Sequence, residues 1–288
     1  MTSFMRFTHI LCPTDYSEPA ARALEYARAV AGWHNARVRV LHVCSGMPDE
    51  ADRADLLREV AATRGPRAPS SMDVALVQGD PARSILSEAE RLPADLLVMG
   101  THGTSGFKRF ILGSVTEKVL RQAIAPVLTV PPSAGTLARL PFRRVLCGID
   151  FSACSLSALE YARSLAGESG ASLIVVHALE WPWDEPPGPS FDELPVAEAA
   201  ALRAYRCRRE REASSRLAAL SPSGAQCRIV HGKAYAAMLR VAAEERADLI
   251  VLGVGGRSGA DRALFGSTTN HVVRQAACPV LTIHGGAL

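Results

Sequence analysis

Residues 100–114 read GTHGTSGFKRFILGS, and residues 253–267 read GVGGRSGADRALFGS. Each spells glycine, two residues, glycine, nine residues, glycine-serine. A single copy describes backbone that needs positive φ or close approach by another group, which a plain surface turn satisfies. Two copies in a chain of 288 residues point to a duplicated unit, and the length suits two domains with a full core each.

Outward from the glycines, the same order of elements recurs. HILCPTD (9–15) is an apolar run ending in Pro-Asp, and the segment after it carries Ala, Leu, Tyr and Val at helical spacing. RVRVLHV (37–43), a helix within 50–63, DVALVQG (73–79), a helix over 81–92 and ADLLVMG (94–100) lead into the first glycine stretch. A helix after Ser114 and PVLTV (126–130) close the unit. The second half repeats this with RVLCGID (144–150), SLIVVHA (172–178), a long helix within 196–220, CRIVHG (227–232), a helix over 234–247, DLIVLG (248–253) and PVLTI (279–283). Continuous apolar strands alternating with amphipathic helices predict an α/β fold with a parallel sheet covered on both faces.

The aspartates that end the first strands, Asp15 and Asp150, lie 135 positions apart, whereas Gly100 and Gly253 lie 153 apart. Most of the extra length is EWPWDEPPGPSFDELP (180–195), read as a loop with no counterpart in the first half, with a lid as the alternative. The expected organisation is a first domain over 1–133, a linker over 134–142 and a second domain over 143–288. The join between the copies, PPSAGTLARLP (131–141), reaches at most ~40 Å when extended, so the halves must be neighbours. The short apolar β-branched last strands would be aggregation-prone as bare edges, which predicts that the halves pair through them as a pseudo-twofold.

Composition excludes several classes. Thirty-two basic residues face 29 acidic ones, which is no nucleic-acid field. The densest basic run, RAYRCRRERE (203–212), interleaves acids and reads as a solvated helix face, with a phosphate or partner patch as the alternative. Seven cysteines without a C-x-x-C pair argue against a disulfide framework and against zinc. No apolar run approaches the ~18 residues of a membrane span, so a soluble cytoplasmic protein without a membrane partner is expected.

In an open α/β sheet, ligands bind outside the carboxyl ends of the strands where strand order reverses, and Asp15, Val43 and Gly100 would meet at that rim. Ser114 followed by Glu117 fits a capping box, a purely structural role. A helix N-terminus also suits a phosphate, and in the second copy Ser267-Thr268-Thr269-Asn270 keeps the hydroxyls but loses the glutamate, which favours the ligand role. Asp15 and Asp150 have a second reading as turn residues before a helix. There is no G-x-x-x-x-G-K-[ST], and glycines after a fourth strand do not form a dinucleotide fingerprint.

These residues resemble the universal stress protein family, and in tandem form. Gly100, Gly103, Gly113 and Ser114, repeated as Gly253, Gly256, Gly266 and Ser267, match its G-x2-G-x9-G-[ST] motif. Asp15 and Asp150 match its strand-ending aspartate, and APVLTV and CPVLTI match its closing strand. The resemblance implies two Rossmann-like, adenine nucleotide alpha-hydrolase-like domains, each a five-stranded parallel sheet with helices on both faces. It also implies binding of ATP or another adenine nucleotide, with Mg2+ as the nucleotide's companion. Carried over, the binding residues are Asp15, Val43, Gly100, Gly103, Gly113, Ser114 and Val115, then Asp150, Ala178, Gly253, Gly256, Gly266, Ser267 and Thr268.

No catalytic residue is assigned. His102 has Gly255 at its place in the second copy, and Lys108, Arg109, Arg257 and Arg262 read as exposed loop charges. His42 and His177 read as hydrogen-bonded residues near the core, because no second metal ligand recurs beside them. The expected function is nucleotide-binding regulation in the stress response, with a slow ATP hydrolase or a ligand-free scaffold as alternatives. The expected partners are the nucleotide, an unspecified protein and a second copy of the chain.

Overall fold

A computed structural model describes residues 6–63, 71–101, 112–135, 141–181, 195–220, 224–255 and 265–284. The first half runs β1 (His9–Thr14), α1 (Glu18–His34), β2 (Arg37–Cys44), α2 (Glu50–Ala62), β3 (Ser71–Gln78), α3 (Pro81–Arg91), β4 (Leu96–Gly100), α4 (Ser114–Gln122) and β5 (Val127–Val130). The second runs β6 (Arg144–Gly148), α5 (Ala153–Ser169), β7 (Ser172–Leu179), α6 (Val196–Leu220), β8 (Gln226–His231), α7 (Ala234–Glu244), β9 (Leu249–Val254), α8 (Ser267–Gln275) and β10 (Val280–His284). Residues 182–194 of the proline-rich stretch lie outside the described residues.

Local chemistry fixes the helix ends. Ser17 caps α1 by accepting the Ala20 N–H, and Asn35 closes it in the left-handed region at φ 57°. Ser152 and Gly170 do the same for α5. Asp80 caps α3, whereas Lys233, at the start of α7, makes no side-chain cap. There the Glu180 carboxylate takes the Ala234 N–H at 2.6 Å instead.

The strands form one ten-stranded sheet, β3-β2-β1-β4-β5-β10-β9-β6-β7-β8. Pairing is parallel within each half and antiparallel between β5 and β10, where Leu128 faces Leu281. The seam is stitched by threonine hydroxyls, Thr129 to the Val280 carbonyl at 3.2 Å and Thr282 to the Val127 carbonyl at 3.1 Å. The last strands thus hide one another's edges, as their apolar character predicts.

Two apolar layers sandwich the sheet. α1, α2, α5 and α6 cover one face, with Leu24, Leu56, Leu159 and Leu217 in a common core. α3, α4, α7 and α8 cover the other, with Ile85, Val119, Met238 and Val272. From the first half, α1 also reaches the linker and the second half. The Tyr26 hydroxyl donates to the Gly135 carbonyl at 2.9 Å, and the His34 imidazole lies 3.6 Å from Glu168. In each half the order reverses at the first strand, with β1 between β2 and β4 and β6 between β7 and β9.

Candidate functional site

At the first reversal a cavity of about 330 Å³ opens. It is lined by Asp15, Val43, Gly100, Gly113, Ser114 and Val115, so the sheet brings together six of the seven residues expected in this half. Gly103 lies outside the described residues, as does Gly256 of the second half. Pro13, Leu41, Ile85 and Met99 add apolar wall that the sequence reading did not assign.

Asp15 sits in a hydrogen-bonded turn. Its Oδ1 accepts the Ser17 N–H at 3.1 Å and the Ser17 hydroxyl at 2.5 Å, so the turn role read from sequence is real and coexists with a place on the cavity wall. The next residue, Tyr16, has φ 61°, a conformation uncommon for an aromatic residue. Thr14 braces the turn: its hydroxyl accepts the Tyr16 N–H at 3.0 Å and donates to the Glu59 carboxylate at 2.9 Å. Burial pushes the Glu59 carboxyl above its usual range and the Asp15 charge adds to the rise, while the Thr14 hydroxyl pulls the other way. The Tyr16 hydroxyl is pushed up to about 12 by burial and by Glu59. His42 lies under Tyr16, 4.3 Å between rings, with Nδ1 2.9 Å from the Thr14 carbonyl, a near-core role as expected.

Opposite Asp15 stands the first turn of α4. Here the capping box is corrected. Gly113, not Ser114, is the N-cap, and no side chain caps the helix. The Gly113 N–H donates to the Thr101 carbonyl at 2.9 Å, which starts the helix one residue earlier than Ser-x-x-Glu implies. Ser114, exposed, is the first helical residue. The N–H groups of Ser114, Val115 and Thr116 therefore have no acceptor within the helix and carry the positive end of its dipole. Thr116, which the sequence reading missed, anchors this turn through its buried hydroxyl, 2.9 Å from the Gly100 carbonyl. Its signal was available, because GSVT at 113–116 and GSTT at 266–269 repeat the threonine.

Gly100 has a second duty. A Cβ there would lie 2.8 Å from the Pro19 carbonyl oxygen, so glycine is required by the approach of α1 to the strand end. Gly253 is constrained likewise by the Cys154 backbone, at 2.5 Å.

The second half repeats the frame. Asp150 accepts from the Ser152 N–H at 3.0 Å and hydroxyl at 2.5 Å, and Phe151 has φ 64°. His177 Nδ1 lies 2.8 Å from the Ile149 carbonyl. Ala178 is half-buried near the end of β7. Gly266 is the N-cap of α8 without a side-chain bond, Ser267 and Thr268 are its first two helical residues, and the Thr269 hydroxyl donates to the Gly253 carbonyl at 3.0 Å. The surroundings differ, however. Ile149 replaces Thr14, and the Arg216 guanidinium of α6 lies 4.0 Å over the Phe151 ring, whereas Glu59 faces the first turn. Gly148 stands where the first half has Pro13, and a Cβ there would run into the Met238 sulfur.

All seven cysteines are free thiols. Among the described residues there is no group of three or more His, Cys, Asp or Glu that could hold a metal ion, and no helix is long and apolar enough to cross a membrane.

Comparison with known proteins agrees with the duplicated fold. The Universal stress protein family profile matches twice, over residues 6–131 and 141–284. A universal stress protein of Mycolicibacterium smegmatis is 25% identical over 310 aligned residues, covering 95% of this chain and 96% of the relative. One from Thermus aquaticus is 37% identical over 139 residues, covering 43% of this chain and 98% of the relative. Among solved structures, a universal stress protein from Archaeoglobus fulgidus superposes with a TM-score of 0.65 at 24% identity, covering 98% of this chain and all of that one. A functionally unknown protein from Pseudomonas aeruginosa PAO1 gives 0.71 at 20% identity, over 97% and 93% of the two chains. At these identities the superpositions speak for the fold alone.

Proposed function

We propose that this chain, which belongs to the universal stress protein family, is an ATP-binding regulatory protein of the cytoplasm that acts in the stress response without catalysing a reaction of its own. Its domains divide at a linker over 134–142. The observation that carries the reading is the convergence of Asp15, Val43 and the α4 N-terminus on one cavity of about 330 Å³.

The donor set suits an adenine nucleotide. The apolar walls from Leu41, Val43, Ile85 and Met99 suit a base, and the Asp15 carboxylate suits ribose hydroxyls. The unpartnered N–H groups that open α4, with the Ser114 hydroxyl, suit phosphate without a lysine. Gly103 belongs to the same cradle by its place in the motif. Mg2+, where present, arrives with the phosphates. In the second half Asp150, Ala178, Gly253, Gly256, Gly266, Ser267 and Thr268 take the corresponding roles.

Calorimetric titration with ATP, on protein shown by mass analysis to be free of bound nucleotide, tests this. Binding is expected, with a rise in melting temperature, since ligand at 100 times its dissociation constant adds about 2.7 kcal/mol of apparent stability. No heat and no shift at millimolar ATP would leave a ligand-free scaffold as the better reading.

A further inference from the structure

The two ends of the sheet carry opposite charge on the same face. α2, which packs on edge strand β3, holds five carboxylates against two arginines from its cap Asp49 to Ala62. α6, which packs on edge strand β8, holds six arginines against three glutamates. Both helices are poorly covered. α6 buries only Ala199, Ala213 and Leu217 of its 25 residues, and α2 buries only Leu56. Helix-favouring Ala, Leu, Arg and Glu sustain α6 where packing does not.

Exposed apolar side chains fall in the same places. Among the described residues, Leu57 of α2 is 47% exposed, Met47 just before it 81%, and Tyr16, within the field of Glu59, 40%. On α6, Tyr205 is 40% and Val196 89% exposed, and the remaining large one, Ile124, lies elsewhere. Leu57 on α2 and Val196 and Tyr205 on α6, the last edge-on to Trp181 and with Arg208 over its ring, leave apolar surface exposed on two under-packed helices of opposite sign, which marks contact surfaces rather than plain solvated faces.

We propose that chains of this protein associate with one another, α2 of one copy docking against α6 of the next. A second copy fits better than an unrelated polyanion. The net formal charges of the two helices cancel, and a polyanion spread along this face would be repelled by α2. Leu57 and Tyr205 supply the apolar anchors, and the charges set register and partner choice. The contact is heterologous, so it is lost when either helix changes sign and restored when both do. This proposal does not depend on nucleotide binding.

Sedimentation equilibrium of the full chain tests it over a range of concentrations in low salt and in about 0.5 M NaCl, where screening is strong. Mass should rise with concentration, less so in high salt. Glu50→Lys with Asp55→Lys, or Arg208→Glu with Arg211→Glu, should each lower the association constant by roughly tenfold or more. Combining all four should recover most of it. Leu57→Ala and Tyr205→Ala, which leave the charges alone, should weaken it in both salts, and unchanged circular dichroism and melting establish that each variant is folded. A monomer at every concentration, association indifferent to both reversals, or failure of the combined variant to recover would each overturn the proposal. So would a wild-type monomer that binds heparin through α6, which would assign the basic helix to an anionic partner.

Discussion

Glu117 of α4 accepts a hydrogen bond from the Arg274 guanidinium of α8 at 3.1 Å, so the helices that open the two candidate cradles are tied across the seam by a charged pair. Arg121 approaches the same carboxylate at 2.9 Å, and Arg274 also donates to Asn270 at 2.5 Å. Asn270 stands at the place of Glu117 in the second copy. One bridge thus joins what the pseudo-twofold would otherwise make two, because Asn270 stands where a second carboxylate would be.

Both partners of this bridge keep more than a quarter of their side-chain surface in water. Glu117→Gln and Arg274→Ala should therefore each cost less than about 1 kcal/mol in urea unfolding. The double variant should cost less than the sum, because either change alone already removes the ion pair. Costs that add fully would mean the bridge contributes no coupling.

How far the sequence foretold this structure depends on whether the causes are local. The duplicated spacing and the apolar strands act within a few residues, as do the Ser17, Asp80 and Ser152 caps, and the first two yield the element order with ends displaced by at most three positions. The convergence of Asp15, Val43 and Gly100 followed from strand order alone. The failures involve partners distant along the chain. Ser114-x-x-Glu117 has the letters of a capping box, but Thr101 and Arg274 draw Gly113 and Glu117 into other bonds. Gly100 looked like a residue kept small for a ligand, while Pro19 already forbids a side chain there. Glu59 reaches the Asp15 turn from a helix 45 residues after Thr14, with no motif to announce it.

Thr116 and Thr269 hold the first turns of α4 and α8 onto the ends of β4 and β9 by hydroxyl-to-carbonyl bonds of 2.9 and 3.0 Å. Thr116→Val keeps the shape and removes the bond, with an expected cost of about 1–2 kcal/mol. It should also weaken ATP binding in the first half, since the turn that presents the N–H groups loses its anchor. Chemical denaturation and calorimetry on the same variant read both effects, and Thr269→Val should repeat them in the second half.

His34 contributes to the acid limb of stability, as does His284, whose imidazole burial also holds below the usual histidine range. Burial, with Arg6 nearby, lowers the His34 pKa from 6.5 to about 4, so the neutral ring is the folded form despite Glu168 at 3.6 Å. The unfolded chain then binds the extra proton between these pH values. Stability should fall as pH drops from about 6.5 toward 4, by at most about 1.4 kcal/mol per pH unit for this one group. Burial raises the Glu168 carboxyl, which acts in the opposite sense and reduces the net slope. Melting temperatures measured across this range should be flatter for His34→Gln than for the parent, and parallel curves would remove His34 from the account.

Ser114→Ala separates structure from binding more sharply than any glycine variant. Because Gly113 is the N-cap and makes no side-chain cap, the Ser114 hydroxyl has no capping bond to lose. Loss of a true serine cap costs about 1 kcal/mol, whereas alanine at the first helical position should leave stability within about 0.5 kcal/mol. If the hydroxyl receives phosphate, ATP affinity in the first half should fall by roughly tenfold, as expected for a hydrogen bond to a charged group. Ser267→Ala should act likewise in the second half, and changing one at a time, with calorimetry counting the sites that remain, tells two working cradles from one. Unchanged affinity and stoichiometry in Ser114→Ala would leave the backbone N–H groups of α4 as the whole phosphate site.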